Sequence, residues 1–83
     1  MTMIVTVKFF AATRELVGSE ETKLELPDVA TIADAKRALA DRYPQIAILL
    51  VRSALAKNQD YALDTDYLSP HDELAVIPPV SGG

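Results

Sequence analysis

Cysteine is absent from the chain. That rules out a disulfide framework and a thiolate zinc site, so any sulfur chemistry must use sulfur that no cysteine supplies. The absence also suits a reducing compartment. Histidine occurs once, at position 71. One histidine builds neither a catalytic triad nor a multi-histidine metal site, and His71, between Pro70 and Asp72, reads as an exposed turn residue. The three glycines, Gly18, Gly82 and Gly83, do not make a phosphate-cradling loop. Basic residues are few and scattered, only Lys36 and Arg37 are adjacent, and the net charge is −4. Nucleic acid is therefore not the expected partner. The longest apolar run, Ile46 to Val51, falls far short of the ~20 residues that span a bilayer. Met1 to Val5 lacks the basic start and small-residue cleavage site of a secretion signal. These features predict a cytoplasmic protein without a membrane partner. Asp60, Asp64, Asp66, Asp72 and Glu73 lack calcium-loop spacing and its central glycine; they read as a solvated acidic edge, and no metal site is expected.

What is present is enough apolar material for one small core: 83 residues, 49% hydrophobic. Met3 to Phe10 is rich in β-branched and aromatic residues and predicts a strand, with Val5, Val7 and Phe9 on one face and Ile4, Thr6, Lys8 and Phe10 on the other. Ala11 to Val17 reads as a short helical turn stopped by Gly18. Glu21 to Leu26 alternates as a second strand, with Thr22, Leu24 and Leu26 inward, ended by Pro27-Asp28. Thr31 stands where a helix N-cap belongs, with Asp34 three residues on at the positive end of the dipole. Ile32, Ala35, Ala38 and Leu39 then share a helical face, and Tyr43-Pro44 closes the helix. Ile46 to Leu50 fits either a buried helical turn or a strand. Arg52 to Lys57 predicts a third strand, Asn58-Gln59-Asp60 a tight turn or a bulge, Tyr61 to Leu63 a short strand, and Ser69 to Asp72 a turn. Glu73 to Pro78 is the last strand, with Leu74 and Val76 inward, and Pro78-Pro79 ends the sheet.

Two strands, one main helix, then two or three strands make an α+β chain. The order fits the ubiquitin-like β-grasp: a mixed sheet of four to five strands with one main helix packed on one face. The division expected is a domain over residues 1–77 and an extended tail over 78–83 ending in Gly82-Gly83.

That tail carries the most distinctive reactive group, the Gly83 carboxylate, ionised at neutral pH. A carboxylate is a poor acyl donor; an acyl-adenylate is a good one, and making it needs ATP and a separate enzyme. Glycine has no side chain, so that enzyme's backbone can approach closely. The alternation also leaves Phe10 and Ile77 on the polar face, with Tyr61 on the Lys57 and Gln59 side. If the first and last strands are neighbours, Phe10 and Ile77 form one exposed patch at the root of the tail, and such patches mark partner sites.

Phe9-Phe10-Ala11 followed by Arg14-Glu15 and Gly18, Ala56-x-Asn58, and the run Asp72-Glu73-Leu74-Ala75-Val76-Ile77-Pro78-Pro79-Val80-Ser81-Gly82-Gly83 resemble the family of molybdopterin synthase small subunits, from about Val5 to the C-terminus. The resemblance implies a sulfur carrier without catalytic side chains of its own, acting as the sulfur-donor subunit of a sulfurtransferase. A ubiquitin-activating-enzyme-like adenylyltransferase, using ATP and magnesium, would adenylate Gly83. Sulfur would replace the adenylate to give a thiocarboxylate. Pro78, Pro79, Val80, Ser81 and Gly82 would form the strap that inserts into the large synthase subunit and delivers sulfur to cyclic pyranopterin monophosphate. Phe10, Tyr61 and Ile77 would be docking residues. The implied assembly is a heterotetramer, two small subunits on a dimer of large ones. The chain departs from the family pattern at His71, where glycine is usual, and at Val76 and Ile77, where an aromatic is frequent. Other readings of the same tail are a ubiquitin-like protein modifier, a sulfur carrier for thiamine synthesis or tRNA thiolation, and an interaction module with an unmodified tail.

Overall fold

The computed structural model describes residues 1–79. The chain runs β1 (Thr2–Phe9), α1 (Ala11–Val17), β2 (Glu21–Pro27), α2 (Ile32–Arg42), a 3-10 turn (Pro44–Ile46), α3 (Ala47–Arg52), β3 (Ala54–Lys57), β4 (Asp60–Tyr61) and β5 (Glu73–Ile77). The sheet order is β2-β1-β5-β3-β4. β1 and β5 are parallel, with Thr6 opposite Glu73 and Phe9 opposite Val76. The other pairs are antiparallel. This is the expected mixed α+β sheet, with the first and last strands side by side.

One face of the sheet is apolar because each strand alternates. Val5, Val7, Phe9, Leu24, Leu26, Leu55, Leu74 and Val76 are buried on it, and Ile32, Ala35, Leu39, Ile46 and Leu50 cover them from the helical layer. Tyr43 locks the two layers at one end: its ring meets Phe9 edge-on at 5.6 Å, and its hydroxyl donates to Thr22 Oγ1 at 3.1 Å. α2 begins in a reciprocal cap. The Asp34 amide donates to Thr31 Oγ1 at 3.3 Å, and the Thr31 amide donates to Asp34 Oδ2 at 2.9 Å.

Beyond one-residue shifts at the start of β1 and the ends of β2 and β5, the expected boundaries change in four places that bear on the site. β1 ends at Phe9, so Phe10 is not a strand residue but the extended residue ahead of α1. Ile46 to Leu50 is helical: Pro44 opens the 3-10 turn, and Ile46 and Leu50 point into the core as a helix allows. Arg52 consequently ends α3, Ser53 caps it, and the third strand starts only at Ala54. β4 is shorter than expected and starts earlier, since Asn58 and Gln59 alone turn the chain, both at positive φ as a type I′ hairpin requires.

Candidate functional site

β1 hands over to α1 in a single residue. Phe10 is extended (φ −130°, ψ 155°) and Ala11 takes a left-handed φ of 50°. Left-handed backbone costs an L-residue about 1–2 kcal/mol, and non-glycine strain of this kind gathers at functional sites. Thr13, fully buried, holds the corner in place: its hydroxyl donates to the Phe10 carbonyl at 2.7 Å and accepts the Phe10 amide at 3.3 Å. The corner turns the Phe10 side chain outward, 46% exposed, whereas Phe9 beside it is fully enclosed.

Because β1 and β5 are in parallel register, Phe10 comes to the end of β5. There it lines an open, mainly apolar groove of about 860 Å³ with Ala11, Ala12, Leu49, Arg52, Ile77, Pro78 and Pro79. Phe10 and Ile77 thus share one surface, as the strand alternation predicts, and the first two tail residues lie in it. On its other side Phe10 walls a smaller recess of about 250 Å³, shared with Lys8, Arg14, Glu20 and Glu21. Lys8 also pairs with Glu73 at 3.4 Å on the sheet face away from the helices.

Tyr61 does not join this groove. It stands 76% exposed on β4, opposite Ala56 and at the far edge of the sheet. It shares with Ile77 only the open face, where Ala54, Ala56 and Ala75 make a low apolar strip between them. The expected roles of Val80, Ser81, Gly82 and Gly83 lie outside the described residues. His71 is exposed at φ 71°, the left-handed backbone that glycine would occupy without strain. Leu49, Arg52 and Thr13 are contributors that sequence reasoning missed. The first two follow from α3 being helical; for Thr13 the only local signal was a hydroxyl residue three places after the corner.

The acidic residues do not form a metal site: among the described residues no group of His, Asp and Glu side chains is arranged to hold a metal ion. No helix among the described residues is long and apolar enough to cross a membrane. What the site offers is an exposed aromatic ring beside an open apolar groove, with Pro78-Pro79 at the point where the chain leaves the sheet.

The chain is similar to known proteins over most of its length. The model of the ThiS family matches residues 7–83. A curated relative, the molybdopterin synthase sulfur carrier subunit of Dictyostelium discoideum, is 41% identical over 80 residues, covering 93% of each chain. Among solved structures, the putative molybdopterin converting factor subunit 1 of Pyrococcus furiosus superposes with a TM-score of 0.86 at 28% identity, covering 94% of this chain and 99% of the other. The small archaeal modifier protein 1 of Haloferax volcanii superposes with a TM-score of 0.87 at 26% identity, covering 94% and 99%.

Proposed function

The chain belongs to the ThiS family, and we propose that it is the sulfur carrier subunit of molybdopterin synthase. The observation that carries this reading is the exposed Phe10–Ile77 groove at the root of Pro78-Pro79. It is joined to a tail ending in Gly82-Gly83, in a chain similar over nearly its whole length to a sulfur carrier of that name. The folded body docks through the groove, and the strap runs on into the partner. From Pro78 to Gly83 an extended chain reaches about 20 Å, enough to bring the last residue to a buried site while the domain stays outside.

The chemistry is written on the Gly83 carboxylate. A carboxylate oxygen attacks the α-phosphorus of ATP, held with magnesium by a separate adenylyltransferase, and pyrophosphate leaves. A hydrosulfide-level sulfur nucleophile attacks the resulting acyl carbon, the C–S bond forms as the C–O bond to AMP breaks, and loss of the sulfur-bound proton gives the thiocarboxylate with no change of oxidation state. In the large synthase subunit that sulfur is transferred to cyclic pyranopterin monophosphate, the acyl C–S bond breaks, and water supplies the oxygen that returns the chain to its carboxylate. Two small subunits on a dimer of large ones is the proposed assembly. This chain supplies no acid, base or nucleophile except its terminus.

The test is reconstitution with an activating enzyme, ATP, magnesium and a sulfur donor, followed by intact-mass measurement. Expected is a gain equal to the difference between a sulfur and an oxygen atom, lost again when the large subunit and the pterin substrate are added. Deleting Gly83 abolishes both changes and leaves stability within about ±0.5 kcal/mol. A chain that takes up no sulfur under these conditions sinks the reading. The likeness to a modifier protein from Haloferax volcanii favours one second reading, in which activated Gly83 is joined to lysines of other proteins. Conjugates recovered from the source cells would identify it.

A further inference from the structure

The eight lysines and arginines of this acidic chain are not spent alike. Lys8 pairs with Glu73, Lys36 with Asp64 and Arg37 with Asp34. Lys23 donates to Thr6 Oγ1, Arg42 to the Lys23 carbonyl while lying over the Tyr43 ring, and Lys57 to the Tyr67 carbonyl. Arg14 and Arg52 are left. Among the described residues neither has an ion pair or a side-chain hydrogen bond, and both are exposed. They come from different helices, α1 and α3, yet both border Phe10, Arg14 in the recess on one side of the ring and Arg52 in the groove on the other. Arg14 stays unpaired even though Glu20 and Glu21 line the same recess.

A guanidinium is always charged and presents a planar fork of donors that matches a carboxylate. Two such forks, held free on either side of an exposed aromatic ring, are complementary to a protein surface with an apolar seat between acidic side chains. We propose that Arg14 and Arg52 are steering and orienting residues that select a partner face bearing carboxylates on both sides of the Phe10 seat. On the reading given under Proposed function, on which this inference rests, that partner is the large subunit of molybdopterin synthase. In a chain of net charge −4, two unpaired guanidiniums near the tail root, with Glu20 and Glu21 confined to the Arg14 recess, would turn the exit of the strap toward carboxylates on the partner before contact. Exposed charges at an interface rim act chiefly on association rate and its salt dependence.

The experiment measures association and dissociation rates of the full-length chain with the large subunit from low salt to about 1 M, where charges are screened beyond ~3 Å. Arg14→Gln with Arg52→Gln is expected to slow association about tenfold at low salt, with little change in dissociation. The difference vanishes at about 1 M salt. Arg14→Lys with Arg52→Lys restores most of the rate, and Lys57→Gln, which lines neither the groove nor the recess and stands at the end of β3 away from Ile77, leaves it unchanged. If the double glutamine variant matches the parent at every salt concentration, or is slowed equally at all of them, the inference is overturned while the sulfur-carrier reading stands. If the parent itself does not bind the large subunit, the assignment of that partner falls and this inference with it.

Discussion

Asn58 grips Glu73 from both backbone and side chain. The Asn58 amide donates to the Glu73 carbonyl at 2.8 Å, and the Glu73 amide donates to Asn58 Oδ1 at 3.0 Å. The carboxamide's other end donates to Asp72 Oδ1 at 3.0 Å, while Asp72 Oδ2 accepts from the Ser69 amide at 2.7 Å. A turn residue at φ 51° therefore sets where β5 begins, and β5 sets where the tail leaves the sheet. Asparagine suits the position twice, tolerating left-handed backbone and bonding locally.

Asn58→Ala should accordingly destabilise the domain by about 2 kcal/mol, from two lost side-chain hydrogen bonds at roughly 1 kcal/mol each. Urea denaturation measures it. A loss below about 0.5 kcal/mol would mean that the clamp is not needed to place β5.

The Phe10 corner gives a prediction that separates docking from folding. Phe10→Ala removes an exposed ring and should cost the fold less than about 1 kcal/mol, yet weaken binding to the large subunit at least tenfold if the ring fills a pocket there. Thr13→Val keeps the shape but loses the hydroxyl that holds the Phe10 backbone. It should cost the fold about 1–2 kcal/mol and also weaken binding. Equal effects of Phe10→Ala on fold and binding would contradict an outward, docking ring.

His71 tests backbone strain away from the site. At φ 71° and exposed, it should be improved by His71→Gly. Relief of about 1–2 kcal/mol of left-handed strain exceeds the roughly 0.5–1 kcal/mol of extra chain entropy that glycine brings. A higher melting temperature with unchanged sulfur transfer is expected; a lower one would mean the imidazole makes a compensating contact.

Asp34 gives the pH dependence a direction. The Thr31 amide and hydroxyl, and then the Arg37 guanidinium, hold its carboxyl below the ordinary value of 3.8. A carboxylate with a lowered folded pKa adds stability that is fully present above the ordinary value and is lost as the pH falls through the lowered one. Denaturation midpoints followed downward from about pH 5 should therefore fall less steeply for Asp34→Asn than for the parent, and the gap between the two should close as Asp34 becomes protonated. Parallel curves throughout would show that the cap gains nothing from the charge.

Much of the fold was legible in local pattern. Alternation placed Val5, Val7, Phe9, Leu74 and Val76 in the core, and Thr31 with Asp34 marked the start of α2, because strand faces and helix caps depend on neighbours a few residues away. The Ile46–Leu50 run stayed ambiguous because a short, wholly apolar stretch fits either element once buried. Only packing against α2 and the sheet made it helical, and that choice moved Arg52 off the third strand and onto the groove. Tyr61 and Ile77 looked equivalent by alternation, but strand order put them at different places on the open face.

The amino-acid sequence by itself narrowed the class of chemistry, since a chain without cysteine and with one turn histidine offers neither a thiolate site nor a histidine-based catalytic set. It determined too that Ile77 faces away from the core, because burial of one strand face exposes the other; Phe10 faces outward by a different route, since β1 ends before it. Only the tertiary structure decided that both line one groove. That shared groove depends on the parallel register of β1 and β5, strands more than sixty residues apart in the chain, and on the buried Thr13 hydroxyl that holds the Phe10 corner. The pairing of six cations, and the release of Arg14 and Arg52 to flank that ring, likewise depend on distances between elements that no local pattern encodes.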